Sequence, residues 1–408
     1  MGWGLRVPLP AFPDGACRRH DTAADPRRDA KIVPMVRPHP VLFDLAAGRP
    51  PRTVAPDAAD HLLESAIDHR MTGLLWSAIA GGGIELPSEH ERRVAARDAA
   101  VELHHRRLWD VMDAIHARLH ALGIGVAYFK GVVAEARWYD RLAERPCRDL
   151  DLLLEPQART RIGEVLEALQ PAHPFREQLP PLVRSGVLQS IDLIVDGLAV
   201  DVHLDLLKFE VPTRQAERIW SRVTKVATPE GRSVPTIDDE VSLIHFLLHA
   251  NKDRFSRLIA YADVARVLRR GEGDLDWPFI DDFLRGEGLR VPVYSALGAI
   301  TDGLGLPPAT ARPAGWRAQA WQALWPPASR LHGARGLMIR QHRQFLLPLL
   351  AEGRLLEGVR WLVRRRVMPP SSALEMYYPD TKGPYVARVI VGRLRRAVAR
   401  RRGARLYQ

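Results

Sequence analysis

A chain of 408 residues, 46% hydrophobic and 26% charged, can bury a sizeable core as two domains or as one with appendages. No apolar run approaches the roughly eighteen residues that cross a bilayer, and the opening residues lack the apolar segment of a secretory signal; two cysteines, Cys17 and Cys147, are too few for a disulfide framework or a zinc site and fit a reducing cytoplasm. The net charge of +11 belongs to one end, since residues 354–408 hold 14 Lys/Arg against 3 Asp/Glu and the remainder is neutral, so nucleic acid is an expected partner only of that basic tail.

Residues 1–38 are rich in Pro, Arg, Gly and Asp without periodicity, the composition of a disordered segment, with Met35 as an alternative start. From Asp57 the pattern is helical. One stretch puts Leu62, Leu63, Ile67, Met71, Leu74 and Leu75 on a single face. After a turn at Gly81–Gly83, a long helix is expected from Glu89 to Leu122, striped by Val101, Leu108, Val111, Ile115 and Leu119 and stopped by Gly123 and Gly125. GVAYFKG and DLDLLLEP then read as short buried strands, with a helix-like insert between them. A helix at Arg161–Leu169 precedes two alternating strands joined at Asp196–Gly197, a strong hairpin turn. Asp238 reads as the N-cap of the next helix, helices continue to about Leu362, and a proline break at Met368–Pro370 precedes a basic C-terminal helix. The expected architecture is α+β, with a small mixed sheet core at 124–237 between helical regions 39–123 and 238–368, and a tail at 369–408.

Alternate side chains of a strand share a face, so Asp149 and Asp151 point the same way while Leu150 and Leu152 point into the core. Two neighbouring carboxylates repel unless a cation lies between them, and hard divalent ions take such oxygen ligands. Asp201, His203 and Asp205 are expected to line one face of their strand by the same rule. An Asp-x-Asp pair alone is weak evidence, since surface strands carry such pairs by chance.

The order FKGVVAEARWYD, RPCRDLDLLLEP and then a later Asp-bearing strand resembles the nucleotidyltransferase fold of the DNA polymerase β superfamily. More narrowly, it is similar to a bacterial family of uncharacterised nucleotidyltransferases, through Lys130, Gly131, Tyr139, Arg145, Pro146, Asp149, Asp151, Leu152 and Leu153, then Asp201 and His203, and His249, Leu258 and Asp263 beyond. The likeness spans about residues 40–390. It implies two Mg²⁺ ions, with Mn²⁺ as a substitute, held by Asp149, Asp151 and Asp201, with Asp201 serving the catalytic ion and deprotonating the acceptor. It also implies an NTP substrate with Lys130 and Gly131 near its triphosphate. The superfamily's Gly-Ser pair is Gly131–Val132 here, so no serine hydroxyl reaches the phosphates. Arg145 either clamps those phosphates or pairs with an acid, and His203 hydrogen-bonds Asp201 or the substrate.

The resulting expectation is a cytoplasmic, Mg²⁺-dependent nucleotidyltransferase. Its acceptor is a peptide, sugar or other small molecule, because the family resembles proteins found beside ribosomal-peptide tailoring and sugar pathways. The alternatives are glycosyl transfer from a nucleotide sugar, an RNA-end nucleotidyltransferase of toxin type, and a non-catalytic nucleotide-binding module. His245 and His249 stand at i, i+4, a spacing that can bind zinc, but no third ligand accompanies them and hydrogen-bonded core roles are expected. Arg148 is expected to lower the pKa of Cys147 without making it a nucleophile. Trp316, Trp321 and Trp325 recur near helical spacing, as core residues do.

Overall fold

The computed structural model describes residues 36–324, except 52, 172–176, 178, 185, 187, 208–212, 228–230, 232, 254, 271–274 and 308–312; beyond that stretch it describes only 353, 356, 357 and 359. The expected tail at 369–408, the segment 1–35 and Trp325 lie outside the described residues, as do most of the helices expected after 324.

Helices come first in the chain: α1 (Pro40–Ala47), α2 (Ala59–Asp68), α3 (Thr72–Ala80) and the long α4 (Ser88–Ala121). The single apolar face expected over residues 62–75 is divided between α2 and α3, because Arg70 between them takes a left-handed backbone with φ 57° that no α-helix can pass through. The sheet region follows, with β1 (Val126–Tyr128), α5 (Gly131–Trp138), β2 (Asp149–Leu154), α6 (Ile162–Leu169), α7 (Leu179–Arg184), β3 (Ser190–Val195) and β4 (Leu198–His203). A further short helix and hairpin, α8 (Ala216–Trp220), β5 (Val223–Ala227) and β6 (Ser233–Ile237), lead into α9 (Asp239–Lys252), α10 (Leu258–Arg270), α11 (Trp277–Glu287), α12 (Arg290–Leu304) and α13 (Trp316–Leu324). Asp238 caps α9 by accepting the Val241 N–H, as its position indicated. No helix among the described residues is long and apolar enough to cross a membrane.

One six-stranded mixed sheet runs in the order β3-β4-β2-β1-β6-β5. The Asp196–Gly197 turn has positive φ at both residues, the geometry that suits the twist of a tight hairpin, and it joins β3 and β4 antiparallel. Parallel pairing of β2 with β4 puts Leu150 beside Val200, Asp151 beside Asp201 and Leu152 beside Val202. Because facing residues share a side of the sheet, the apolar set packs on α4 and α6 with Leu108, Met112, Ile115 and Ile162. The carboxylate set lies on the other side. There a second core joins α1–α3 to α9–α12, with Phe129 and Leu153 reaching into it from the sheet. Trp321 is buried in this core, whereas Trp316 is exposed, contrary to its expected core role.

One close approach fixes where α3 meets the loop before β2. A Cβ placed on Gly73 would overlap the carbonyl oxygen of Ala143 and the backbone of Glu144, neither of which is a flexible side chain that can swing away. Gly73→Ala is therefore expected to lower unfolding free energy by about 3 kcal/mol, as overpacking does, measured by urea denaturation. An unchanged midpoint would mean the two backbones are not in contact.

Candidate active site

The site begins at the turn from β1 into α5. Lys130 occupies φ 58°, ψ −159°, a region of backbone space that only glycine enters readily. Gly131 follows with φ 46°, a left-handed backbone that glycine adopts without strain, and a Cβ there would rest in van der Waals contact with the Asp149 carbonyl oxygen and Cys147 Sγ. This strained corner sends the Lys130 ammonium across to β2, where Nζ lies 3.1 Å from Asp151 Oδ1. Burial alone would lower the pKa of Lys130, but Asp151, Asp201 and Asp149 outweigh it and raise that pKa.

Parallel register brings the second strand's groups to the same place. His203 Nε2 lies 3.0 Å from Asp151 Oδ1 and 3.0 Å from Asp201 Oδ2. Both neighbours are carboxylates, so Nε2 carries a proton and donates it to Asp151 Oδ1, with Asp201 Oδ2 in ion-pair contact. Phe129 meets the His203 ring edge-on at 4.7 Å between centroids, which fixes the ring's plane. Against burial, which would raise it, Lys130 and His203 hold the Asp151 carboxyl well below the usual carboxylate range, so Asp151 is an anion at neutral pH.

Ligand atoms of Asp151, Asp201 and His203 all lie within 4.8 Å of one another, the one such group of potential metal ligands among the described residues. Asp149 stands outside it, exposed at the head of β2 and paired with Ala199 rather than with Asp201. Two residues of strand separate it from Asp151, about 6.6 Å of rise. It still feels the cluster: desolvation by the protein around its carboxylate and then Asp151 raise its pKa, while Lys130 lowers it. Asp192 on β3, opposite Asp201, adds a carboxylate position that the sequence did not single out. Its only signal was the alternation of SIDLIV.

These donors fit a hard divalent cation. Asp151 and Asp201 both raise the proton affinity of Asp149, the repulsion that a cation between them relieves, and oxygen ligands of this kind are what Mg²⁺ takes.

Three expectations change on this background. Asp205 does not share the face of Asp201 and His203, because β4 ends at His203. Its carboxylate instead accepts from the backbone N–H groups of Leu207 and Thr213 and from the Thr213 hydroxyl. Arg145, left open as clamp or ion-pair partner, makes a bidentate bridge to Asp263 on α10 at 2.7 and 2.8 Å. The Tyr139 hydroxyl donates to the same carboxylate at 2.7 Å, so three of the motif positions form one buried tie between the β2 approach and the C-terminal helices. The pKa of Cys147 is raised, not lowered, because burial outweighs the nearby Arg145. The Cys147 backbone N–H donates to His105 Nε2, and His105 Nδ1 lies 2.8 Å from Glu135 Oε2, a buried set that anchors the residues just before Asp149.

Among the described residues, His245 and His249 join no group of three potential metal ligands. His245 Nδ1 lies 3.0 Å from the Leu206 carbonyl oxygen, and burial and then Lys130 depress the pKa of both rings, so the pair stays neutral beside the cluster.

Comparison with known proteins agrees with this construction. The model of a family described as uncharacterised nucleotidyltransferases matches residues 56–303, from α2 nearly to the end of α12, and takes in every residue of the cluster. The chain belongs to that family. No curated protein sequence and no solved structure matches it.

Proposed function

We propose that this nucleotidyltransferase-family chain uses divalent metal to transfer a nucleotidyl group from an NTP to a nucleophilic peptide, sugar or other small molecule. The observation that carries the reading is the parallel register that sets Asp151 beside Asp201, with Asp149 one strand step outward and Lys130 reaching in from the turn. In this reading residues 124–237 form the catalytic core, flanked in sequence by the helical regions 39–123 and 238–368.

Asp149, Asp151 and Asp201 would hold Mg²⁺, which when bound supplies Lewis-acid stabilisation of phosphoryl oxygens. Lys130 neutralises phosphate charge at the mouth of the turn, where the first N–H groups of α5 point outward. His203 keeps the Asp151 and Asp201 carboxylates in place and acts as a positioning residue. Arg145 serves the site at one remove, by locking Asp263 and Tyr139 behind the β2 approach. The acceptor hydroxyl oxygen forms a bond to the α-phosphorus, pyrophosphate leaves with the bonding electron pair, and Asp201 takes the hydroxyl proton.

A second reading, nucleotide binding without transfer, draws on the contact of Lys130 and His203 with Asp151, which neutralises that carboxylate without a metal. Purified protein with α-labelled NTPs, Mg²⁺ and candidate acceptors distinguishes the two. Transfer requires label on the acceptor and stoichiometric pyrophosphate, both abolished by EDTA. Retained nucleotide binding with no label moved from any of the four NTPs would favour the second reading.

A further inference from the structure

The turn after β1 lacks the hydroxyl that would help hold a phosphate chain, since Val132 follows Gly131 and is buried in the core beneath the sheet. A triphosphate bound there would need cations from elsewhere. Most of the arginines around the site are already committed: Arg145 to Asp263, Arg141 to Asp98 and Arg137 to Asp239. Arg70, Arg148 and Arg257 are different. Among the described residues, no hydrogen bond or ion pair reaches the guanidinium of any of the three.

Their placement comes from three separate parts of the chain. Arg70 sits at the break between α2 and α3, in the left-handed conformation that helix ends usually give to glycine or asparagine. A residue with a Cβ is strained there by about 1 kcal/mol. The Ile259 N–H donates to the His69 carbonyl oxygen at 3.3 Å, which pins this break to the turn carrying Arg257 just before α10. Arg148 is exposed directly ahead of Asp149 on the approach to β2. Arg70 feels the other two: burial first, then Arg257 and Arg148, pull its pKa down to about 10, and the attraction of Asp149 opposes them. Arg148 directly precedes Asp149, and α3, which begins just after Arg70, abuts Ala143 and Glu144 on the same approach, so the basic group borders the acidic one. Like charges gathered with no carboxylate in ion-pair contact are the arrangement that an anion between them stabilises.

We propose that Arg70, Arg148 and Arg257 form the subsite for the polyphosphate chain of the nucleotide, supplied jointly by the N-terminal helices, the β2 approach and the C-terminal helices. The assignment rests on the transferase reading above. It deepens that reading by naming residues outside the sheet core as the phosphate grip, with planar guanidinium forks suited to phosphate oxygens. Binding at this subsite would join the two helical regions through one ligand.

The probe is inorganic tripolyphosphate in EDTA, titrated calorimetrically into the full-length wild type and into Arg70→Gln, Arg257→Gln, the double variant and Arg148→Gln. Thermal melts accompany each titration. Arg148 is exposed, so its variant keeps the test valid if a change at Arg70 disturbs the helix break. Each single substitution is expected to weaken binding about tenfold, the loss of one charge-assisted contact, and the double variant by more. Added salt should weaken the wild type most, because it has the most charge to screen. Arg118→Gln, which removes a surface partner of Asp196, should leave affinity unchanged. If the wild type transfers label yet the folded arginine variants bind tripolyphosphate and NTP as it does, the subsite is wrong and the transferase reading stands. If tripolyphosphate binding falls in the variants but no NTP is ever turned over, the subsite stands and transfer fails.

Discussion

Asp151→Asn is expected to reduce NTP turnover by about a thousandfold, the scale of several kcal/mol of electrostatic stabilisation removed from a metal-assisted displacement. Asp201→Asn should do the same. The two differ in what remains. Asp151 is the carboxylate that Lys130 and His203 both touch, so its amide leaves a buried ammonium without its nearest anion. Breaking a buried pair in this way costs about 3 kcal/mol or more, and Asp151→Asn should melt well below the wild type.

Asp149→Asn should lose turnover without that penalty. Its pKa is raised in the folded protein, by desolvation from the protein around it and by Asp151, so the native state binds this proton more tightly than the unfolded chain does. Stability from that group is present at low pH and is lost as pH rises through its folded pKa. At neutral pH the ionised group opposes folding, and its amide should melt at or above the wild type. Kinetics and melting curves on the three variants check this ordering. Equal destabilisation by Asp149→Asn and Asp151→Asn would contradict the division of roles.

Lys130 gives the second large effect, through its backbone as well as its charge. Lys130→Ala and Lys130→Gly both remove the ammonium, so both should lower kcat/KM for NTP by about ten- to a hundredfold, the worth of one charge-assisted contact. They should not be equally stable. Alanine keeps the Cβ in a region of φ and ψ that costs about 1–3 kcal/mol, whereas glycine relieves it at a smaller entropic cost in the unfolded chain. The glycine variant should therefore unfold later, by about 1 kcal/mol. Lys130→Arg should recover part of the activity, its fork differing from a compact ammonium. A glycine variant no more stable than the alanine one would remove the case for a strained corner, and unchanged kcat/KM in both would place the triphosphate elsewhere.

Legibility in the sequence followed the range of the interactions. The Asp196–Gly197 turn and the Asp238 cap are encoded within a few residues and formed where their patterns lay; of the α4 stripe, Leu108, Ile115 and Leu119 are buried while Val101 and Val111 are half-buried. Asp149, Asp151 and Asp201 were legible as motif positions. Their relative depth was not, because it depends on the register of β2 against β4, a pairing across about fifty residues of chain. The same gap hid His203 as the group between two carboxylates and Asp192 as the position opposite Asp201. The break at Arg70 was invisible because the apolar stripe continues in phase across it. β5 and β6 were missed, since β5 is largely solvent-facing and β6 carries Pro235, which leaves neither with a run of alternating apolar residues. Arg145 was ambiguous until Asp263, over a hundred residues later, was seen to meet it.

The proposed transfer depends on a divalent ion held by the carboxylates, and Mn²⁺ reports such an ion directly by electron paramagnetic resonance. Free Mn²⁺ is titrated into the full-length protein with a non-hydrolysable NTP analogue, in parallel with Asp151→Asn and Asp201→Asn. The wild type should bind about two ions, as paired-metal displacement requires, with Mg²⁺ competing them off, and each variant should lose at least one. Binding of Mn²⁺ that is absent from the wild type, or equal in all three proteins, would contradict a metal centre at Asp149, Asp151 and Asp201.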